Sequence, residues 1–200
     1  WDGNRISFGT KNTLDLGNKQ GRLRLFLEET YGTPDFEVLV EQVFGETPFA
    51  IYGEGYGHKI QTGAGYFPDE PEGKNEFIGF DVRVDGRYLS PENTADVLKK
   101  LGIPMVPTLA QTVTIPELIH DMSNAIKSVE EGEPAIVHEG TDKEVEGYVL
   151  RPPLPLFDGR GNRVMAKVIM SDVRQVVGMV ASMEEERRRL EEAAGQEASA

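Results

Sequence analysis

The sequence has no cysteine, few basic residues and no long apolar run, and each shortage excludes a class of protein. Without cysteine there can be no disulfide, thiolate metal site or cysteine nucleophile, which favours a reducing compartment such as the cytoplasm. With 21 basic against 34 acidic residues, the formal net charge of -13 argues against binding nucleic acid through a broad basic surface. No apolar run reaches the length that crosses a bilayer, so a soluble protein without a membrane partner is expected.

The pattern of turns and caps predicts a mixed α+β domain. A chain of 200 residues is long enough for one sizeable domain with an appendage. Residues 1–173 are predicted to form that domain, and residues 174–200 a charged C-terminal helix with a frayed end. Antiparallel sheets with inserted helices are expected. Short strands are predicted at NRISF, PFAIYGE, EFIGFDVRVDGRYL, AIVHEG, VEGYVLRP and RVMAKVIM.

Local signals mark several turns and helix starts. Asp85 and Gly86 favour a type I′ hairpin turn inside EFIGFDVRVDGRYL. Ser90 followed by Pro91 is suited to the start of one helix. The spacing of Thr114 and Glu117 is that of a capping box before an amphipathic helix. Two short helices are also predicted within residues 21–45, and a further helix from Asp172 onward.

Three common functional patterns are missing. The glycine-rich stretch GEGYGHKIQTG lacks the Gly-Lys-Ser/Thr ending of a P-loop, and no Gly-x-Ser-x-Gly nucleophile elbow occurs. His58, His120 and His138 are too scattered to suggest a set of metal ligands. These absences argue against a P-loop NTPase, an α/β-hydrolase and a histidine metal centre.

Four other stretches combine strand patterns with charged or aromatic residues: YGEGYG at 52–57, FDVRV at 80–84, EGYVLRP at 146–152 and MAKVI at 165–169. Taken singly each is weak, because a charged residue at a strand end is usually a solvated edge residue. Taken in order, they resemble the covalent nucleotidyltransferases, which include RNA ligases, DNA ligases and mRNA capping enzymes. They are most similar to phage-type RNA ligases of the RNA ligase 2 class, and the similarity extends from Trp1 to about Asp172.

The resemblance implies the adenylation-domain fold of ATP-dependent ligases and a three-step reaction. A lysine amine attacks the α-phosphate of ATP, AMP moves to an RNA 5′-phosphate, and an RNA 3′-hydroxyl then displaces AMP. The implied cofactors are ATP, retained as AMP, and Mg²⁺ or Mn²⁺, and the implied partners are RNA ends. A role in RNA repair, in the cytoplasm of a phage-infected host cell, goes with this assignment.

By position in the motifs, the resemblance assigns nucleotide contacts to β-strand residues. Glu54 would accept hydrogen bonds from the ribose hydroxyls of AMP. Phe80 would stack on adenine, although Phe80 is equally well interpreted as an ordinary core residue and Phe77 is a neighbouring alternative.

The resemblance also assigns phosphate and metal contacts. Glu146 would bind the divalent metal or the attacking groups, because hard oxygen ligands suit Mg²⁺ and Mn²⁺. Lys167 would neutralise the charge that builds on the α-phosphate. Arg151 would contact phosphate or lie on the surface, and Lys11 would supply a further cation near the nucleotide. Glu146 and Lys167 are therefore the predicted catalytic residues.

One departure from the family pattern keeps other functions open. The family ends this region with Lys-x-Lys, but if Lys167 is the first lysine, Ile169 occupies the second position. Placing Lys167 second puts Met165 first, which supplies no cation either. A non-ligating module that binds nucleotide or RNA ends is therefore one alternative. An ATP-dependent DNA ligase is another, disfavoured because the glycine-rich stretch after Glu54 resembles RNA ligases.

The opening stretch WDGNRISFGT has two interpretations. Asp2, Gly3 and Arg5 fit the end of the family motif Lys-x-Asp-Gly-x-Arg, with the lysine just before Trp1. Alternatively, Asp2 and Gly3 form a hairpin turn, and the lysine precedes Trp1 by roughly ten residues, one strand's length. The hairpin is favoured, because the motif interpretation leaves too little chain before Lys11. Both interpretations place the nucleophilic lysine upstream of Trp1.

Overall fold

A computed structural model of the chain describes residues 1–10, 21–57, 60, 74–108, 113–130 and 145–197. The helices in this part of the chain are α1 (Gly21–Tyr31), α2 (Pro34–Phe44), α3 (Pro91–Lys100), α4 (Ile115–Glu130) and α5 (Met170–Glu197). The strands are β1 (Phe49–Gly57), β2 (Asn75–Val84), β3 (Arg87–Tyr88), β4 (Gly147–Leu150) and β5 (Ala166–Ile169). Helices combined with small antiparallel sheets confirm the predicted α+β class.

The chain divides into two compact units. Unit 1 comprises Trp1–Leu109 and Pro152–Arg163, and unit 2 comprises Ala110–Arg151 and Val164–Ala200. The domain boundary predicted after residue 173 lies inside α5, which starts at Met170, slightly before the predicted helix. That boundary stays a prediction.

Unit 1 is built on a three-stranded antiparallel sheet in the order β1-β2-β3. Val82 of β2 is fully buried with Val40 of α2 and Leu98 of α3, and Ile51 of β1 packs against the same cluster. Side chains alternate along a strand, so this apolar set occupies one face of the sheet and leaves the other face for polar residues. The two faces therefore separate the core of unit 1 from its candidate site.

The local turn and cap signals in unit 1 are confirmed. Asp85 and Gly86 have φ of 45° and 78°, as a type I′ turn requires. The Ser90 hydroxyl accepts a hydrogen bond from the Asn93 N–H at 3.3 Å, and Pro91 is the first residue of α3. These residues determine their own backbone geometry, which is why the sequence predicts them.

The strand predicted at NRISF is wrong, because residues 4–8 belong to no strand. The Asp2 carboxylate accepts hydrogen bonds from the N–H groups of Asn4 and Arg5 at 3.0 and 2.9 Å, which withdraws both donors from any ladder. Trp1 takes the place beside β1 instead, where its carbonyl accepts the Phe49 N–H at 3.1 Å. The chain thus bends at Asp2 and Gly3, but no strand follows, and the hairpin interpretation stays a prediction.

Unit 2 pairs β4 with β5 in a two-stranded antiparallel ladder beside α4 and α5. Its core is formed by Leu118, Met122 and Ile126 of α4 with Met170 and Val173 of α5. The predicted capping box is confirmed: Glu117 accepts the Thr114 N–H at 2.7 Å, and Thr114 accepts the Glu117 N–H at 3.3 Å. The predicted strand AIVHEG lies outside the described residues.

Candidate functional site

The polar face of the unit 1 sheet carries the candidate nucleotide residues. Ile51 and Val82 are cross-strand partners in the core, so the next pair along, Tyr52 and Asp81, belongs to the opposite face. Glu54 follows Tyr52 on that face and is exposed. Glu54 is therefore accessible to a ligand at the point where β1 continues towards the glycine-rich stretch.

A β-bulge occurs in β2 at Phe80. The register passes from Tyr52 opposite Asp81 to Gly53 opposite Gly79, so β2 carries one extra residue there. Phe80 is half-buried and is not among the described side chains packed against the unit 1 core. Phe77 does pack against that core, with its ring 6.1 Å from that of Tyr31. Of the two candidate phenylalanines, Phe77 is thus the core residue.

Asp81, next to Phe80, forms a buried ion pair that the sequence does not reveal. The Arg163 guanidinium donates to the Asp81 carboxylate at 2.6 Å, and the two side chains are only 13% and 9% exposed. The same guanidinium lies 4.3 Å from the centroid of the Tyr88 ring. Burial raises the pKa of Tyr88. A buried aspartate requires a cation, but Arg163 is 82 residues away along the chain, at the start of the predicted strand RVMAKVIM, and nothing in that segment indicates a contact with Asp81.

A compact turn presents Arg163. Phe157 and Arg163 form an isolated antiparallel bridge, and the Asp158 carboxylate accepts hydrogen bonds from the N–H groups of Arg160 and Asn162, both at 2.8 Å. Hydrogen bonds from the Asn162 side chain and backbone hold the pKa of Asp158 below its ordinary value. Asp158 thereby fixes the turn that ends at Arg163.

Unit 2 brings Glu146 and Lys167 together. The Lys167 ammonium donates to the Glu146 carboxylate at 2.6 Å, with the two side chains 50% and 70% exposed. Tyr148 and Val168 pack inward on the unit 2 core, whereas Lys167 and its cross-strand partner Val149 are exposed. The carboxylate and the ammonium are therefore both accessible from solvent.

Gly147 fixes the backbone beside Glu146. A Cβ at this position would collide with the carbonyl oxygen of Val168 on the facing strand, so no larger residue fits without moving the backbone. The Glu146 carbonyl accepts the Met170 N–H at 2.8 Å where β5 passes into α5. The Glu-Gly sequence thus closes the β4–β5 ladder tightly and sets where the Glu146 side chain begins.

A comparison with protein families decides the assignment. The RNA ligase family model matches residues 5–169, most of the chain. The chain belongs to the RNA ligase family. The match includes Glu54, Phe80, Glu146 and Lys167, and RNA substrates follow from the family. No curated protein matches the chain.

The departure at Ile169 concerns the RNA ligase motif directly. Ile169 lies two residues after Lys167 in β5, hence on the same face of the ladder, and it is paired with Gly147. Met165 precedes β5 and is 47% exposed. Neither position supplies a second cation. Arg151 follows β4 and is half-buried, and Lys11, His58 and His138 lie outside the described residues.

The described residues could bind a metal ion only with the help of a bound substrate. They contain no group of three or more His, Asp or Glu side chains able to hold a metal ion. Glu146 offers a single carboxylate, and Mg²⁺ is commonly held by one or two carboxylates with substrate phosphates and water. A divalent metal in this RNA ligase would therefore be held largely by its substrate.

None of the helices in the described part of the chain is long and apolar enough to span a bilayer.

Proposed function

We propose that this RNA ligase is an ATP-dependent adenylation domain that joins RNA 3′-hydroxyl and 5′-phosphate ends through lysine–AMP and RNA–adenylate intermediates. The observation that carries the proposal is the exposed Glu146–Lys167 pair, 2.6 Å between Nζ and Oε1. Phosphoryl transfer needs cations at the transferred phosphate and oxygen ligands for a metal, and this pair offers one of each.

Unit 1 supports the nucleotide half of the proposal. Glu54 would accept hydrogen bonds from the ribose, and its exposure on the polar face of the sheet suits that role. Phe80 would stack on adenine, since bulges commonly redirect a side chain beside an active site. Phe77 is committed to the core and leaves Phe80 as the better candidate.

Unit 2 supports the phosphate half. Lys167 would bind an oxygen of the α-phosphate, and Glu146 would hold Mg²⁺ or Mn²⁺. When bound, such a metal offsets charge on the transferring phosphate. Arg151 and Lys11 remain proposed phosphate contacts. The nucleophilic lysine is proposed to precede Trp1, and its amine must be neutral to attack the α-phosphorus as pyrophosphate leaves.

Labelling by ATP tests the proposal. The chain, extended to include the proposed lysine, is incubated with α-labelled ATP and Mg²⁺ or Mn²⁺, and we expect label that survives denaturation. Lys167→Met should reduce labelling by about 100-fold or more. Lys100→Met is the matched control, because Lys100 forms an exposed pair with Asp96 at 2.7 Å on α3, away from the matched motifs. No labelling with either metal would overturn the proposal.

Ile169 favours one second candidate, a non-ligating module that binds nucleotide or RNA ends. An apolar side chain on the Lys167 face removes a cation that the family's sealing chemistry uses. Under this alternative, the chain binds 5′-phosphorylated RNA without sealing it, and Ile169→Lys restores sealing of a nicked duplex. Efficient sealing by the unaltered chain would exclude the alternative. The family match favours RNA over the DNA ligase alternative.

A further inference from the structure

Helix α5 carries two separate apolar stripes, and among the described residues only one of them packs within unit 2. Met170 and Val173 are buried in the unit 2 core, and Val177 packs against it. The second stripe lies further along the helix and is between 48% and 72% exposed. We call it the α5 seam, and it consists of Val176, Met179, Val180, Met183 and Leu190.

The spacing of the α5 seam is that of a helix-pairing surface. Val176, Met183 and Leu190 recur at intervals of seven residues, which keeps them on one side of a helix over roughly 21 Å. At 3.6 residues per turn, the seam is turned by about 100° from the stripe that packs in unit 2. The helix can therefore bind a second helix while keeping its place in the unit 2 core.

The charges next to the seam indicate which kind of helix binds there and in which orientation. Glu184, Glu185 and Glu186 are followed at once by three arginines, Arg187 to Arg189. A second copy running antiparallel, and crossing between residues 186 and 187, places each glutamate block beside an arginine block. A parallel copy would place like charges side by side, which disfavours that orientation.

The individual positions agree with this crossing. On a helical wheel, Glu184 and Arg187 lie on one flank of the seam, and Glu186 and Arg189 lie on the other. The same crossing brings Met183 opposite Leu190 of the second copy. Within one chain, Arg189 pairs with Glu185 at 2.6 Å, but both side chains are more than half exposed, so exchanging this pair for an intermolecular one costs little.

We infer that the α5 seam binds a second copy of this chain as an antiparallel two-helix pair centred between Glu186 and Arg187. The helix starts at Met170, directly after the residues that match the RNA ligase family. The seam therefore lies outside the part of the chain to which the family assigns a function, and the inference does not depend on the proposed chemistry.

Single cysteines test the orientation, because the natural chain has none. Arg187→Cys places two thiols next to the crossing, and we expect a disulfide-linked dimer under mild oxidation. Val176→Cys places the thiols about 30 Å apart in an antiparallel pair, and we expect no cross-link. Cross-linking of both variants would indicate a parallel pair, and cross-linking of neither would exclude the pair. Either result overturns the inference.

Charge exchange tests the recognition. One variant carries Glu at 187, 188 and 189, and the other carries Arg at 184, 185 and 186. We expect each to sediment as a monomer alone, and an equimolar mixture to sediment as a heterodimer. Combining all six changes in one chain should restore the homodimer.

Gly178→Ala, on the side of α5 away from the seam, is the control, and circular dichroism checks that α5 stays helical. An unaltered chain that sediments as a monomer at about 50 µM would overturn the inference.

Discussion

The two units each contain an ion pair of the same length, and the environments of these pairs differ sharply. Arg163–Asp81 in unit 1 and Lys167–Glu146 in unit 2 both have an N–O distance of 2.6 Å. The side chains of the first pair are about a tenth exposed, whereas those of the second are 50% and 70% exposed. Distance alone therefore does not say what an ion pair contributes; burial does.

The difference in solvent exposure indicates that the two ion pairs contribute differently to the molecule. Asp81 and Arg163 are largely shielded from water, so solvent screens their attraction only weakly. Glu146 and Lys167 keep most of their hydration, and solvent screens their attraction. A ligand phosphate or metal can therefore replace one partner at small cost. The buried pair belongs to the architecture beside Phe80, and the exposed pair is accessible to a ligand.

The largest expected effect comes from breaking the buried pair. Asp81→Asn or Arg163→Met removes one charge of the buried ion pair, and we expect the free energy of unfolding to fall by about 3 kcal/mol. Urea denaturation followed by circular dichroism measures the change. The double variant should lose much less than the sum, because both charges of the pair are removed together.

Asp96→Asn is the matched control for that experiment. Asp96 pairs with Lys100 at 2.7 Å, but both side chains are more than half exposed. We expect a loss of less than about 1 kcal/mol. Equal losses for Asp81→Asn and Asp96→Asn would show that burial does not distinguish the two environments.

The second effect in size concerns the backbone beneath the exposed pair. Gly147→Ala forces a methyl group against the Val168 carbonyl, and we expect about 2 kcal/mol of destabilisation together with displacement of Glu146. Gly178→Ala is the control in the same unit, since in the described part of the chain no atom beyond the local backbone of α5 lies within 4 Å of its Cβ position. That change should stabilise α5 by up to about 1 kcal/mol. Similar denaturation midpoints for both variants would contradict the close approach at Gly147.

The sequence predicts features that a few neighbouring residues determine. The turn at Asp85 and Gly86 and the caps at Ser90 and Thr114 are set by local backbone chemistry, and the structure confirms them. The strand predicted at NRISF is absent for an equally local reason: the Asp2 carboxylate accepts hydrogen bonds from the N–H groups of Asn4 and Arg5, which removes both donors from a ladder.

Features that depend on tertiary register are not predictable in this way. The bulge at Phe80 arises from how β1 and β2 pair, and strict alternation from the buried Val82 would place Phe80, not Phe77, on the core face. The partner of Asp81 comes from the turn that Asp158 organises, far along the chain. The motifs thus located the candidate residues, whereas the supporting contacts required the structure.

The third prediction separates stability from activity at the exposed pair. We expect Glu146→Gln and Lys167→Met each to change the free energy of unfolding by less than about 1 kcal/mol. On the proposed function, each should also reduce ATP labelling by about 100-fold or more. Urea denaturation and labelling are measured on the same preparations. A loss of activity that merely follows a loss of folded protein would assign this pair to the architecture as well.

The smallest effect comes from a pair of intermediate exposure, Glu76 with Lys74, whose side chains are 27% and 49% exposed. Burial opposes ionisation of Glu76, but hydrogen bonds from Lys74 and from the Tyr56 hydroxyl, the latter at 2.6 Å, outweigh it and hold the pKa of Glu76 below its ordinary value of 4.5. Because the folded-state pKa is the lower one, the contribution to stability is present above pH 4.5 and is lost as the pH falls through the folded-state value.

We expect Glu76→Gln to cost less than about 1 kcal/mol at pH 7, and the difference from the natural chain to shrink below pH 4.5. Tyr56→Phe should raise the pKa of Glu76 and move that loss to higher pH. A difference that stays constant from pH 7 to about 3 would show that the ionised form of Glu76 adds nothing to the free energy of unfolding. The partial burial of this pair would then have no more effect on stability than full exposure.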